Sequence, residues 1–163
     1  MVFADLIKDY GPSVPWVLAV AGLLYNNRTA NHREKRKEFR ADIDSIEKVV
    51  KELSGKLTTY FRLAEHTVDT KRSEAEIKVL FKELDFKWER LSRRQTGGTL
   101  GLFIDPCSQA LESLFDQATG QYFESADLIP PADVNGHVSD LQIRSLIFVE
   151  ALHSLFLKKF DGI

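Results

Sequence analysis

Eight residues, Phe39, Ile43, Ile46, Val50, Leu53, Leu57, Tyr60 and Ala64, recur at alternating spacings of four and three. A strand alternates every second residue, whereas this spacing places all eight on one stripe of an α-helix. A helix with a single apolar stripe is not stable alone in water and needs other elements to bury that stripe. The chain is thereby committed to helix-on-helix packing. No run elsewhere shows strand-type alternation bounded by turn signals. Ile43, Val50, Leu57 and Ala64 take one heptad position, and Phe39, Ile46, Leu53 and Tyr60 take the other. Val49, Phe61 and Leu63 widen the stripe, which suits a bundle helix better than a two-stranded coiled coil. Asp44–Lys48, Glu47–Lys51 and Glu52–Lys56 form acid-before-base pairs at i,i+4 on its flanks. Gly55 is the weak position, costing about 1 kcal/mol against Ala.

Three further helices follow from the same signals. Ser73 with Glu76 reads as a capping box before the apolar face Ile77, Leu80, Phe81, Leu84, Trp88 and Leu91. Arg90, Arg93 and Arg94 suit the carboxyl end of that helix. Asp105-Pro106 reads as an N-cap with proline in the first turn, ahead of Leu111, Leu114, Phe115 and Ala118. Ser139 with Gln142 opens a last helix that is apolar nearly all round, so it is central in a core or meets a second surface. The segment from Gln121 to Val138 reads as a long loop, pinned to the bundle by Tyr122, Phe123, Leu128 and Ile129.

Ahead of the heptad lies the run from Val14 to Tyr25, without charge and almost without polarity. The charge-free window extends from Tyr10 to Asn27, 18 residues. A helix of that length spans roughly 27 Å, against a bilayer core of about 30 Å that usually takes about 20 residues. Trp16 and Tyr25 stand near the two ends of the run, with Val17, Leu18, Val20, Leu23 and Leu24 between them. Arg28, Arg33, Lys35, Arg36, Lys37 and Arg40 follow as a basic collar suited to an anionic membrane surface. Asp5, Lys8 and Asp9 at the start do not make a signal-peptide n-region. Basic residues after the run and acidic ones before it orient a span with its amino terminus outside and its body in the cytoplasm. The competing reading is a soluble all-α protein whose first helix completes the core or an oligomer interface. An in-plane amphipathic segment fits less well, since the run is apolar on all sides.

The expected architecture is therefore all-α: an N-terminal transmembrane or anchor helix, residues 1–27, running into an antiparallel four-helix bundle, residues 28–163. The bundle helices are expected at about 30–68, 73–94, 105–119 and 139–160.

The block from Trp16 to Arg40, with its Lys35-Arg36-Lys37-Glu38-Phe39, resembles the start of many small bacterial proteins of unknown function. Those begin with a single span and continue with a basic helix. The resemblance covers roughly the first quarter of the chain and is compositional. It implies an anchor in the bacterial inner membrane and a cytoplasmic helical domain, and it carries over no catalytic residues.

Charge and motifs narrow the function further. Arg28 to Arg72 holds twelve basic and eight acidic residues, whereas Gln95 to Ile163 holds three basic and nine acidic. The acidic end argues against nucleic acid as a partner. One Cys and four His exclude a zinc pattern, and neither a Walker loop nor a dinucleotide fingerprint is present. Gly97, Gly98 and Gly101 read as a connector rather than a phosphate loop. Arg62 and His66 share a face without matching the spacing of helical nucleases. Cys107 reads as a small buried hydrophobe. Glu150 and His153 form one Glu-x-x-His, the half-motif of di-iron bundles, which need two such motifs and two more carboxylates. They are the candidate metal ligands. A metal-dependent enzyme is the least favoured of three readings, with no cofactor expected and no catalytic set in view. The favoured reading is a membrane-anchored module that binds a protein partner or its own copies through the heptad stripe and the last helix.

Overall fold

The computed structural model describes residues 14–62, 68–93, 101–120, 122–124 and 131–160. The heptad stripe lies in its core: Phe39, Ile43, Ile46, Val50, Leu53, Leu57 and Tyr60 are all buried, as are Val49 and Phe61. Leu63 and Ala64 fall outside the described residues. These residues belong to α1 (Val14–Arg62), followed by α2 (Val68–Arg93), α3 (Gly101–Thr119) and α4 (Val134–Phe160). No strand occurs among the described residues. The fold is an all-α helical bundle. Its core takes Ile77, Leu84, Trp88 and Leu91 from α2, Leu111, Leu114 and Ala118 from α3, and Leu141, Phe148, Leu152 and Leu155 from α4.

Side-chain pairs give the packing sense. Lys56 meets Glu76 at 2.5 Å, Lys87 donates to Ser45 Oγ at 2.5 Å, and Arg90 meets Asp42 at 2.5 Å. Moving up α1 means moving down α2, so the two are antiparallel. Gln117 beside His137 and Arg144 on Ser113 set α3 and α4 antiparallel in the same way. Phe39 on Phe156 at one end and Phe61 on His137 at the other do so for α1 and α4.

The chain divides into two compact units, Met1–Glu38 and Phe39–Ile163. The division expected after residue 27 falls within α1, and the second unit starts at the first buried residue of the stripe. No helix among the described residues is long and apolar enough to cross a membrane. The charge-free window begins at Tyr10, and residues 10–13 lie outside the described residues.

The helices begin earlier than their sequence signals. Ser73 and Glu76 sit inside α2, where the Glu76 carboxylate takes Lys56 of α1 and Arg72 at 3.2 Å instead of reaching back to a cap. These two cations hold its pKa below the ordinary carboxylate value, Lys56 first. Asp105-Pro106 is likewise interior, because α3 starts at Gly101. The missing proline N–H leaves one backbone acceptor of the first turn without its intrahelical donor, a tolerable loss so close to a terminus.

Asp133, not Ser139, caps α4: its Oδ1 accepts the Gly136 N–H at 2.9 Å. A Cβ at Gly136 would stand 2.4 Å from Asp133 Oδ2, so the glycine is what lets this carboxylate close over the helix end. Of the expected flank pairs, Asp44 instead takes Arg40 at 3.0 Å, and Lys56 takes Glu76. Tertiary partners and a nearer cation have redirected them.

Tyr122 and Phe123 pack against the core, as the loop reading required. Leu128 and Ile129 lie outside the described residues. Tyr60 is the knot at this end. Its hydroxyl donates to Glu74 Oε1 at 3.0 Å and accepts the Glu124 N–H at 3.3 Å, while its ring meets Phe61 and Phe123. Glu124 has a φ of 55°, in the left-handed region, and its carboxylate pairs with Lys78. Burial, ahead of the neighbouring carboxylates, pushes the Tyr60 phenol up to about 12. Tyr60→Phe keeps the rings and removes both hydrogen bonds. It is expected to lower unfolding free energy by about 1–3 kcal/mol in a urea titration, with the helical circular dichroism unchanged.

Candidate interaction surfaces

Trp16, Val20, Leu23, Leu24 and Tyr25 all face solvent, with Trp16 75%, Leu23 69% and Tyr25 73% exposed. The side chains of Val17 and Leu18 lie outside the described residues. Among the described residues, none before Phe39 belongs to the buried core. Arg28, Arg33, Lys35, Arg36, Lys37 and Arg40 are exposed as well. A row of large apolar side chains open to water is unlike the scattered exposed leucines of an ordinary surface.

The Glu-x-x-His pair does not build a metal centre. Glu150 is exposed, while His153 turns to α1, its Nδ1 3.2 Å from Arg40 Nη1 and its Nε2 3.5 Å from Glu47 Oε2. Among the described residues no three His, Cys, Asp or Glu side chains gather into a potential metal site. His153 instead joins a polar and aromatic cluster. Phe39 packs on Phe156 and Phe160, and Lys159 Nζ lies 4.2 Å from the centre of the Phe39 ring. Cys107 is buried, and burial pushes its thiol up to about 11, so it is a packing residue rather than a nucleophile. Gly101 is the first residue of α3, and Gly97, Gly98, His66 and Arg94 lie outside the described residues.

α4 is apolar on two sides. One side supplies the core, and the other leaves Ile143, Leu146, Ile147 and Leu157 in solvent at helical spacing. Leu146, 68% exposed, lines a groove of about 420 Å³ against α1, together with Glu47, Lys51 and Val149. Ile143 and Ile147 line a second groove of about 280 Å³ against α3. The sequence left open whether this helix is central in a core or meets a second surface, and the structure buries one side of it while leaving these four residues in solvent. Val79 and Phe86 are exposed on α2 and carried no sequence signal of a surface role.

His137, near the start of α4, was not singled out by the sequence. Its ring stands edge-on to Phe61 at 4.6 Å and to Tyr122 at 5.5 Å, and its Nδ1 lies 3.0 Å from Gln117 Nε2. Burial among these groups holds its pKa below the ordinary 6.5, with Asp140 opposing less strongly. The unfolded chain therefore takes up this proton before the folded one. Its contribution is intact above pH 6.5 and is lost as pH falls toward the lower folded-state value. The expected outcome is a fall in unfolding free energy on acidification through this window, and a shallower slope for His137→Gln, read from denaturant titrations at stepped pH.

No family model, no curated protein and no solved structure matches this chain.

Proposed function

We propose that the protein is a membrane-tethered helical module that binds other proteins through its bundle and performs no chemistry of its own. The observation that carries this reading is the exposed row Trp16, Val20, Leu23, Leu24 and Tyr25, followed at once by exposed Arg28, Arg33, Lys35, Arg36 and Lys37. Apolar area gains about 25 cal/mol per Å² on leaving water. Aromatic rings at the ends of the row suit the headgroup level, and a basic collar suits anionic lipid on the cytoplasmic side. The tether would be a single pass through a bacterial inner membrane, amino terminus outside. The bundle interior is filled by side chains from all four helices, which leaves its outer grooves for partners.

A second reading has one observation in its favour: no described helix is apolar and long enough to cross a bilayer. On that reading the row is covered by a second copy of the chain in water. One experiment separates them. The full chain is expected to float with liposomes of mixed zwitterionic and anionic lipid, and a chain starting at Asn31 to stay behind. Leu23→Arg with Leu24→Arg should abolish flotation without lowering the melting temperature of the bundle. Full-length protein that remains entirely soluble without detergent, as an oligomer broken by the same two substitutions, would establish the second reading instead.

A further inference from the structure

The outer face shared by α3 and α4 is apolar along its middle and acidic around it. Ile143 and Ile147, 51% and 55% exposed, line with Ala110 the groove of about 280 Å³ between the two helices. α3 carries Asp105, Glu112 and Asp116 and no Lys or Arg at all. All three carboxylate residues are exposed. On α4, Asp140 and Glu150 stand exposed before and after the apolar pair. Two cations share this frame: Arg144, turned onto Ser113 of α3, and exposed Lys158 near the end of α4, whose charge reaches Cys107 of α3. These five acids against two bases are the local source of the acidic excess in the last part of the chain.

From this arrangement we infer that the α3–α4 face docks a basic amphipathic helix of another protein, one with apolar residues at i,i+4 flanked by Lys or Arg. Helix-in-groove recognition needs a shallow apolar trough for the anchors and opposite charge on the rim, and this face has both. The rim also decides against a second copy of the same face. Self-pairing would bring five acids against five with only Arg144 and Lys158 on each side, and the net like charge opposes the contact. Nucleic acid is excluded by the same sign. The inference deepens the reading of the bundle as an interaction module and rests on it, but not on the tether.

The test uses the full chain, in buffer where it stays soluble without detergent and otherwise in nanodiscs of zwitterionic lipid with empty discs as the blank. The probe is a fluorescent alanine-based helix of about 18 residues, carrying two leucines at i,i+4 between lysines. One control peptide has Glu for Lys and another has Gln for Leu. The lysine peptide is expected to bind, and either control to bind about tenfold more weakly or worse. Ile143→Gln with Ile147→Gln should weaken the lysine peptide by a similar factor. Asp140→Lys with Glu150→Lys should reverse the preference toward the glutamate peptide. All four side chains are exposed, so unchanged melting temperatures are expected and check that each variant is folded.

Three results overturn the inference. One is no binding of the lysine peptide. Another is binding that ignores the isoleucine substitutions, which would be adsorption by charge alone. The third is sedimentation showing a dimer that the isoleucine substitutions break, which would make a second copy the occupant. Loss of peptide binding with flotation intact removes only this partner, whereas loss of flotation removes the tether and leaves the face untouched.

Discussion

Burial of the α1 stripe is the contact on which the rest of the bundle depends. Its side chains share one core cluster with those of α2, α3 and α4, and both ends are closed by aromatic groups. Phe39, Phe156 and Phe160 close one end, and Tyr60, Phe61, Phe81 and Phe123 the other. Each fully buried Leu, Ile or Phe contributes about 1.5–3 kcal/mol relative to exposure. Truncating one also leaves a cavity whose lining loses its contacts. Gly55 sits opposite this work, exposed and with nothing within 4 Å of a Cβ built on it. The weak position of the helix therefore costs backbone entropy but disturbs no packing.

Charge has a different task in this unit. Lys56–Glu76, Lys87–Ser45 and Arg90–Asp42 lie along the α1–α2 seam at successive heights. Lys87–Ser45 is a hydrogen bond to a neutral hydroxyl, and the two ion pairs, each with at least one solvent-exposed partner, add little stability because solvent screens them and long side chains lose freedom in making them. Their spacing along the seam instead fixes which turn of α1 faces which turn of α2. A shift of either helix by one turn would keep apolar surface against apolar surface yet mismatch all three pairs.

The core was legible in the sequence because helical periodicity is a direct image of burial. Every described residue of the heptad is buried, and so are Ile77, Leu84, Trp88 and Leu91 of α2. The helix starts were less legible, and for one physical reason. Ser-x-x-Glu and Asp-Pro are local signals, whereas a helix begins where packing stops supporting it. Glu76 finds Lys56 across the seam, and α4 reaches back to Asp133. The Asp133 cap did have a sequence trace, an Asp three residues before a Gly, hidden within what read as a loop. The Glu150–His153 pair was local in another way. Its spacing is that of a metal half-site, but His153 rotates to Arg40 and Glu47 of α1, a tertiary neighbour no local pattern encodes.

The division of charge along the chain makes sense when the two proposed surfaces are considered together. On the tethered reading an anionic leaflet attracts the collar from Arg28 to Arg40 and repels the acids of α3 and α4. Both effects reach about one Debye length, roughly 8 Å at physiological salt. Lipid therefore competes for the basic collar but not for the Ile143–Ile147 groove, whose rim it repels. A basic partner helix experiences the reverse: it is drawn to the rim and turned away from the collar. One chain with charge uniformly mixed would bind both lipid and basic helices less selectively. On the tethered reading, segregating the signs would keep a membrane contact and a protein contact from competing for the same surface.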